Sequence, residues 1–148
     1  MSGHCVFRAL VGLTLAVGLP AQGPEDAEAL VKEAVVYAKA HGTYGLIKAV
    51  NTPDGPFRKG SLYIWMVDLE GVTVANARNP GLAGKDDSER KDLDSVPFIQ
   101  QAVQIAETKG SGWFSYRYSI PDSKQIQEKV CYVEKLDAVV IACGAYKK

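Results

Sequence analysis

The spacing of apolar residues changes several times along the 148-residue chain, and each change marks a predicted element. From Pro24 onward, apolar residues recur at helical spacing and form one apolar face, which predicts a long helix. Pro24 suits a first helical turn, and the acidic pair Glu25–Asp26 complements the positive end of the helix dipole. Gly42 breaks or kinks this helix, and the pattern allows a second helical piece up to Val50.

Strand patterns replace the helical spacing after a turn-rich loop over residues 51–60. A strand and its hairpin partner are predicted over 61–71 and 72–77. A polar loop then leads to a second helix over 96–110, which has helically spaced apolar positions and ends at Gly110. Three further strands are predicted at 112–120, 126–135 and 138–146.

This order of elements predicts an α+β fold with a single domain over residues 24–148. We expect one antiparallel sheet of five strands, with the long N-terminal helix on one face. The second helix and the charged loop before it would form a lid over the other face. Such a sheet, covered by unlike layers, leaves room for a cavity between sheet and lid.

The stretch GWFSYRY presents rings to both sides of its predicted strand, because successive side chains in a strand point to opposite faces. One face carries Phe114, Tyr116 and Tyr118, and the other carries Trp113, Ser115 and Arg117. A sheet buried on both sides accommodates both sets of rings. We expect Trp113 toward the long helix or the sheet edge, and Arg117 near the rim with its stem over apolar surface.

The first 23 residues have the layout of a secretory signal peptide. Arg8 precedes an apolar run from Ala9 to Leu19, and a run of about 11 residues is too short to span a bilayer, which needs about 20. Cleavage after Gly23 fits the small-residue rule, cleavage after Ala21 is the rival, and an uncleaved anchor is the third alternative.

The charge balance disfavours nucleic acid as a partner. The chain has 17 basic and 17 acidic residues, and removal of residues 1–23 takes away only Arg8, which leaves a net charge of −1. Phosphate binding requires clustered cations, which a near-neutral domain lacks. Since no later segment is apolar and long enough to span a membrane, we expect a soluble periplasmic or secreted domain.

Two cysteines follow the predicted signal peptide, and an exported domain can join them in a disulfide. If the last two strands turn at Leu136–Asp137–Ala138, Cys131 and Cys143 sit nearly opposite each other. The alternative is that both are small buried apolar residues, as free cysteines commonly are.

Patterns for catalysis, cofactors and metals are weak or missing. His41 is the one histidine after the predicted signal peptide, and no nucleophile motif, phosphate loop or zinc pattern accompanies it. The mixed-sign run 85–92 is interpreted as a solvated lid loop, because it lacks the aspartate spacing of a calcium loop. Arg78, a cation close to Asn76 in the sequence, is also interpreted as a solvated residue. We therefore expect no enzyme and no cofactor.

An ordered set of short motifs resembles the single Cache domain, an extracytoplasmic relative of the PAS fold. The resemblance runs from about Ala34 to Tyr146 and depends on the order and spacing of the motifs. These are His41–Gly42, Phe57–Gly71, Asn79–Pro80, Gly84–Lys85, Pro97–Phe98, GSGWFSYRY, KVCYV and Gly144–Ala145–Tyr146. The chain departs from the family at Asn76 and Ala77, where the family has His and Pro.

The resemblance implies ligand sensing outside the cell. Cache domains bind small molecules, often short carboxylates or amino acids, and usually belong to chemoreceptors and sensor kinases. This chain resembles a free-standing form, which would bind a small organic anion and pass the signal to a partner such as a membrane receptor or sensor kinase.

We expect the binding site to comprise Trp65, Asn76, Tyr116, Tyr118 and Lys129. The resemblance implies that Lys129 lines the pocket, where an ammonium group beside tyrosine hydroxyls can hold a carboxylate by charge-assisted hydrogen bonds. It also selects the Tyr116 and Tyr118 face as the ligand side. Asn76 replaces a family histidine and would supply a polar contact.

Each of these residues also has an ordinary structural interpretation. A strand lysine such as Lys129 is usually solvated or guards an edge. Tyr116 and Tyr118 can be core rings, and Trp65 can pack on the first helix. Asn76 can be a turn residue. The alternative function is accordingly a ligandless interaction module that forms a homodimer through the first helix.

Overall fold

The computed structural model describes residues 22–119 and 123–147. The predicted signal peptide therefore lies outside the described residues except for Gln22 and Gly23. The Gln22 side chain donates to the Lys59 carbonyl at 2.7 Å and accepts from the Ser61 N–H at 2.9 Å. Cleavage after Ala21 would retain these contacts, and cleavage after Gly23 would remove them.

The two predicted helices are present. α1 spans Pro24–Val50 with acidic residues in its first turn. It is kinked at Gly42, whose φ of 78° and ψ of 162° lie outside the helical range, as the sequence predicted. α2 spans Phe98–Lys109, and Gly110 ends it with a φ of 78°. In the described part of the chain neither helix has the length and hydropathy needed to cross a membrane.

Seven strands are described. They are β1 (Arg58–Lys59), β2 (Leu62–Tyr63), β3 (Trp65–Asp68), β4 (Thr73–Asn76), β5 (Ser111–Ser119), β6 (Ile126–Leu136) and β7 (Val139–Tyr146). Five of them form one antiparallel sheet in the order β4-β3-β7-β6-β5, with β4 and β5 at its edges. The predicted five-stranded α+β fold is therefore confirmed.

The predicted first strand is interrupted at Ile64. Its N–H donates to the Phe57 carbonyl, and its own carbonyl accepts from the Ala77 N–H, each at 2.9 Å. Ile64 thus joins a separate hairpin of β1 and β2 to the main sheet. The sequence did not predict this hairpin, because residues 51–60 read as a turn-rich loop.

The sheet is buried on both faces. α1 packs on one face, where its apolar stripe meets Met66, Ile141 and Tyr132. α2 packs on the other, against Val67, Val133 and the ring of Tyr116. These two layers explain why β7, the central strand of the sheet, is a run of buried residues instead of an alternating pattern.

Of the two alternatives for the cysteines, the structure supports free buried thiols. Cys131 pairs in register with Gly144, and Cys143 pairs with Tyr132, so the two cysteines are offset by one residue. Because side chains alternate across a sheet, that offset puts Cys131 in the α2-side core and Cys143 in the α1-side core. Both are free, buried thiols.

We expect both thiols to be unreactive in the folded protein. Burial raises the pKa of both, that of Cys143 to about 12, so the nucleophilic thiolate is scarce at neutral pH. Alkylation followed by peptide mass mapping should label Cys131 and Cys143 only after denaturation, without any reductant. A peptide pair linked through the two cysteines would contradict the sheet register.

Candidate functional site

A cavity of about 470 Å³ lies between the sheet, the loop 77–97 and the start of α2. This is the position predicted for it, and the volume suits a small organic ligand. Its aromatic wall consists of Tyr63, Trp65, Phe98, Tyr116 and Tyr118, and its polar lining includes Thr73, Asn76, Arg78, Asp87 and Arg90.

The aromatic wall is a packed stack. Phe98 lies face to face with Tyr116 at 4.6 Å between ring centroids, and Phe114 also stacks on Tyr116, at 5.5 Å. Tyr118 meets Tyr116 edge to face at 6.0 Å. Burial raises the pKa of Tyr116 well above its ordinary value, which keeps the hydroxyl protonated. Tyr116 is thus both a core ring and a cavity wall.

Asn76 ends β4 with its side chain at the cavity. Its Oδ1 accepts hydrogen bonds from the backbone N–H groups of Arg78 at 3.0 Å and Asn79 at 2.9 Å. The carbonyl half of the amide therefore fixes the turn into the loop, which is the ordinary role of asparagine in a turn. No hydrogen bond joins the amide nitrogen to another described residue, so the structural and functional interpretations are compatible.

Lys129 is buried behind the cavity wall. Its side chain is 1% exposed, and its Nζ lies 3.3 Å from the Tyr63 hydroxyl oxygen. The rings of Tyr63, Tyr146 and Tyr118 surround Nζ with centroids at 4.6, 5.0 and 5.5 Å. These three rings are termed the tyrosine cage. No carboxylate among the described residues forms an ion pair with Lys129.

Gly144 makes room for the Lys129 stem. The stem crosses the neighbouring strand β7 on its way to Tyr63, and Gly144 lies under the crossing. A Cβ at Gly144 would come within 2.9 to 3.1 Å of the Cε, Cγ and Cδ atoms of Lys129. In the Gly144–Ala145–Tyr146 motif, Gly144 therefore leaves space for the lysine stem, and Tyr146 supplies one ring of the cage.

Two arginines face the cavity. Arg90 donates from Nη2 to the Tyr118 hydroxyl at 2.9 Å, and its guanidinium carbon lies 5.8 Å from the Phe98 ring centroid. The Arg78 guanidinium lies 5.8 Å from the Tyr63 ring centroid. Arginine stacked on rings in this way keeps donors available for an anion. Both arginines are partly buried and line the cavity, so neither is a purely solvated surface cation.

The loop 77–97 is fastened to both edge strands of the sheet. At β4, the Thr73 hydroxyl donates to Asp87 Oδ2 at 2.6 Å, and the Gly84 N–H donates to the Thr73 carbonyl at 2.7 Å. At β5, Asp92 Oδ2 accepts from the Arg117 N–H at 3.0 Å. The Arg117 side chain pairs with Asp94 at the exposed rim, where the sequence placed it.

The sequence matches the family described as Single Cache domain 2 over residues 21–148. The chain belongs to the single Cache domain family. This match confirms the resemblance found in the motifs and identifies a sensor-type, ligand-binding fold.

Solved structures with the same fold include chemosensory and chemotaxis proteins. A Cache chemosensory domain described for carboxylic acid recognition is 23% identical, with a TM-score of 0.68 over 84% of this chain and 92% of that chain. A periplasmic sensor domain of a chemotaxis protein is 26% identical, with a TM-score of 0.64 over 84% and 90%. A methyl-accepting chemotaxis protein from Vibrio parahaemolyticus is 18% identical, with a TM-score of 0.68 over 82% and 86%.

The structure brings four of the five predicted site residues to the cavity of this Cache domain. They are Trp65, Asn76, Tyr116 and Tyr118. Lys129 is not on the lining surface, and it touches the cavity only through Tyr63 and Tyr118. Its predicted contact with a ligand stays a prediction.

Sequence reasoning missed Arg90 and Asp87 as cavity residues. Both lie in the mixed-sign run 85–92, which carries no periodic pattern that separates inward from outward side chains. Their orientation is set by a turn in which the Arg90 N–H donates to the Asp87 carbonyl at 2.9 Å. A turn inside a charged loop of this kind leaves no recognisable signal in a single sequence.

We expect Gly144→Ala to destabilise the domain through the Lys129 stem. Overpacking of a buried position costs about 1–3 kcal/mol, and here the clash is with a single side chain. In a Lys129→Ala background the stem is absent, so the same glycine substitution should cost little. Urea unfolding of the four proteins measures this coupling. Equal costs in both backgrounds would show that Gly144 has another role.

We expect the fastening of the loop at Asp92 to weaken in acid. Partial burial alone would raise the pKa of Asp92, but hydrogen bonds from the N–H groups of Arg117, Val96 and Asp94 lower it below its ordinary value of 3.8. The lowered pKa means that Asp92 stabilises the fold above pH 3.8 and loses that contribution as pH falls through its folded-state pKa.

Thermal unfolding of wild type and Asp92→Asn between pH 6 and 3 tests this expectation. The wild type should be the more stable at pH 6, and the difference should shrink below pH 3.8. Glu89→Gln, an exposed change in the same loop, is the control. A difference that is constant with pH would contradict the role assigned to Asp92.

Proposed function

We propose that this Cache domain is an extracytoplasmic sensor that binds a small organic anion, such as a short carboxylate, in the cavity under the loop 77–97. The observation that carries the proposal is the orientation of the partly buried Arg90 guanidinium, which lines the cavity beside the rings of Phe98 and Tyr118. A guanidinium group held in this way can bind a carboxylate with two parallel hydrogen bonds.

The charge distribution around the cavity supports an anionic ligand. Arg78 and Arg90 face the cavity, and the Lys129 ammonium lies behind the tyrosine wall without a carboxylate partner in the described chain. Cations around a partly dehydrated space attract an anion more strongly than they would in water. Lys129 would then act through the wall, as a fixed charge close to the ligand.

A route for the signal leads from Asn76 to the end of α1. The side chain of Asn51, the residue after α1, donates to the Val74 carbonyl at 3.1 Å and accepts from the Asn76 N–H at 3.0 Å. A ligand that displaces β4 at Asn76 would therefore shift the C-terminal end of α1. We propose that a partner protein, such as a membrane receptor or sensor kinase, reads this shift.

The proposal assigns the domain to the periplasm or the exterior after signal peptide cleavage, and it assigns no catalytic step. The alternative, a ligandless module that dimerises through α1, requires a filled interior, and the cavity of about 470 Å³ counts against it. Exposed Val36 and Tyr44 on α1 keep dimerisation compatible with ligand binding.

Calorimetric titration with a panel of short carboxylates and amino acids tests the proposal. We expect at least one compound to bind the wild type. Arg90→Gln should weaken that binding by about tenfold to a hundredfold, the effect of losing a hydrogen bond to a charged group. Lys129→Met, which keeps the stem and removes the charge, should weaken it to a smaller degree.

The matched control is Arg58→Gln, which removes a guanidinium group from the exposed strand β1. Its affinity should equal that of the wild type. Failure of every compound to bind, or an equal loss of affinity in Arg58→Gln and Arg90→Gln, would overturn the proposed binding site.

A further inference from the structure

The two edge strands of the main sheet differ in how their outer backbone groups are used. At the β4 edge, the Thr73 N–H donates to the Lys85 carbonyl at 2.9 Å, and the Thr73 carbonyl accepts from the Gly84 N–H at 2.7 Å. The Asn51 side chain bonds two further backbone groups of the same strand. The β4 edge is therefore closed by other parts of its own chain.

The direction of the backbone groups along β5, the opposite edge, follows from its pairing with β6. The Lys135 N–H donates to the Gly110 carbonyl at 2.8 Å, and the register from there along β5 has no shift. Because alternate residues bond to the neighbour in an antiparallel ladder, the even-numbered residues of β5 bond to β6. The odd-numbered residues point away from β6, and the Arg117 N–H accordingly donates to Asp92 Oδ2, outside the ladder.

Three odd-numbered residues leave this edge open: Ser111, Trp113 and Ser115. Within the described residues, their backbone N–H groups have no hydrogen-bond partner. Natural sheets guard their edges with charged side chains, prolines, bulges or covering segments. The stretch from Ser111 to Ser115 contains no charge, no proline and no bulge, and the covering loop bonds the edge beyond it, at Arg117. We therefore term residues 111–115 the open edge.

The open edge is complementary to itself. If a second copy lies antiparallel with a two-fold axis at Trp113, Ser111 of each copy faces Ser115 of the other. Each copy has three open N–H groups, and this register pairs all of them in six hydrogen bonds. The second copy then leaves the edge at Gly110, where the chain turns into α2, before it reaches Asp92.

Other two-fold registers fit less well. An axis at Gly112 would leave the Ser115 N–H of each copy without a partner. An axis at Phe114 would place Ser111 of the second copy opposite Arg117, where Asp92 already occupies the edge. The length of the open edge thus selects the axis at Trp113.

The side chains of the open edge also favour a second copy. Trp113 is 42% exposed, and its ring meets Tyr132 on the α1 side of the sheet at 5.1 Å between centroids. The axis at Trp113 makes the two indoles direct cross-strand neighbours, and cross-strand aromatic pairs stabilise a sheet. On the other side, Phe114 of each copy lies opposite Gly112 of the other, and an aromatic ring over an edge glycine also stabilises a sheet.

We propose that the open edge is a dimerisation surface, at which two copies of this chain pair through β5 into one continuous sheet. The inference does not depend on which ligand the cavity binds. The surface is distinct from α1, the helix considered above for dimerisation. Because β5 also carries Tyr116 and Tyr118, the pairing joins the two strands that supply the aromatic walls of both cavities.

Analytical ultracentrifugation of the wild type at about 10 µM to 1 mM tests for the dimer. Five paired residues in each copy form a small contact, so we expect a reversible dimer with a Kd of about 10 µM to 1 mM. A monomer at every concentration would overturn the proposal. This measurement needs no variant.

The variant Ser115→Pro tests whether the dimer uses the open edge. Proline removes the outward N–H and leaves the ladder to β6 intact, so far-UV circular dichroism should show an unchanged fold. The dimer loses two of its six hydrogen bonds, and we expect an affinity lower by about tenfold to a hundredfold. The matched control Ser115→Ala keeps the N–H and should dimerise like the wild type.

Val36→Asp, a change at an exposed position of α1, tests the competing surface. We expect it to leave the dimer affinity unchanged. A dimer that survives Ser115→Pro but is lost in Val36→Asp would place the interface on α1 and overturn the open edge.

Cysteine cross-linking tests the register without proline. Residues that face each other in a hydrogen-bonded antiparallel pair have Cα atoms about 5.5 Å apart, within the range for a disulfide. A mixture of Ser111→Cys and Ser115→Cys, oxidised with diamide, should therefore give a cross-linked heterodimer, whereas Ser115→Cys alone should not. The native Cys131 and Cys143 are buried, and peptide mass mapping identifies the linked residues. A mixture that cross-links no more than Ser115→Cys alone would overturn the register.

Discussion

The burial of the Lys129 ammonium group constrains the part of the structure that surrounds it. Lys129 is 1% exposed, and its charge meets three tyrosine rings and one phenol oxygen. Burying a charge without an opposite charge costs free energy, which the ring faces offset in part, since a cation–π contact contributes about 0.5–2 kcal/mol. An anion on the cavity side of the cage would stabilise the lysine further, and the proposed binding site would then link folding to ligand binding.

The cage also explains local features that have no other evident cause. Gly144 allows the lysine stem to cross β7, and Tyr146 two residues later supplies one ring. Tyr63 supplies another from β2, the strand that the break at Ile64 separates from the main sheet. The predicted first strand is thus interrupted next to Tyr63, whose ring contacts the buried Lys129 ammonium group.

The sequence predicted the features that depend on local periodicity and failed where distant segments decide the outcome. The kink at Gly42, both helices and the five sheet strands followed from spacing and turn residues. The ring face of β5 followed from simple alternation. The spacing did not decide whether Cys131 and Cys143 are bonded. A one-residue offset between them on β6 and β7 determines which face of the sheet each side chain takes. The inward orientation of Arg90 depends on its contacts with Tyr118 and Phe98, which are formed only in the folded chain.

The charged residues of the run 85–92 have two different roles in the structure. Asp86 accepts from the Ser88 N–H, and Asp92 accepts from three backbone N–H groups, so these carboxylates are used to shape and fasten the loop. Asp87 uses one hydroxyl donor, and Arg90 uses one hydroxyl acceptor, and both retain hydrogen-bonding capacity at the cavity. A mixed-sign run that looks solvated in the sequence is therefore divided between residues that satisfy the backbone and residues that can meet a ligand. The division accompanies the turn at 87–90, in which Asp87 and Arg90 line the cavity while Glu89 is exposed.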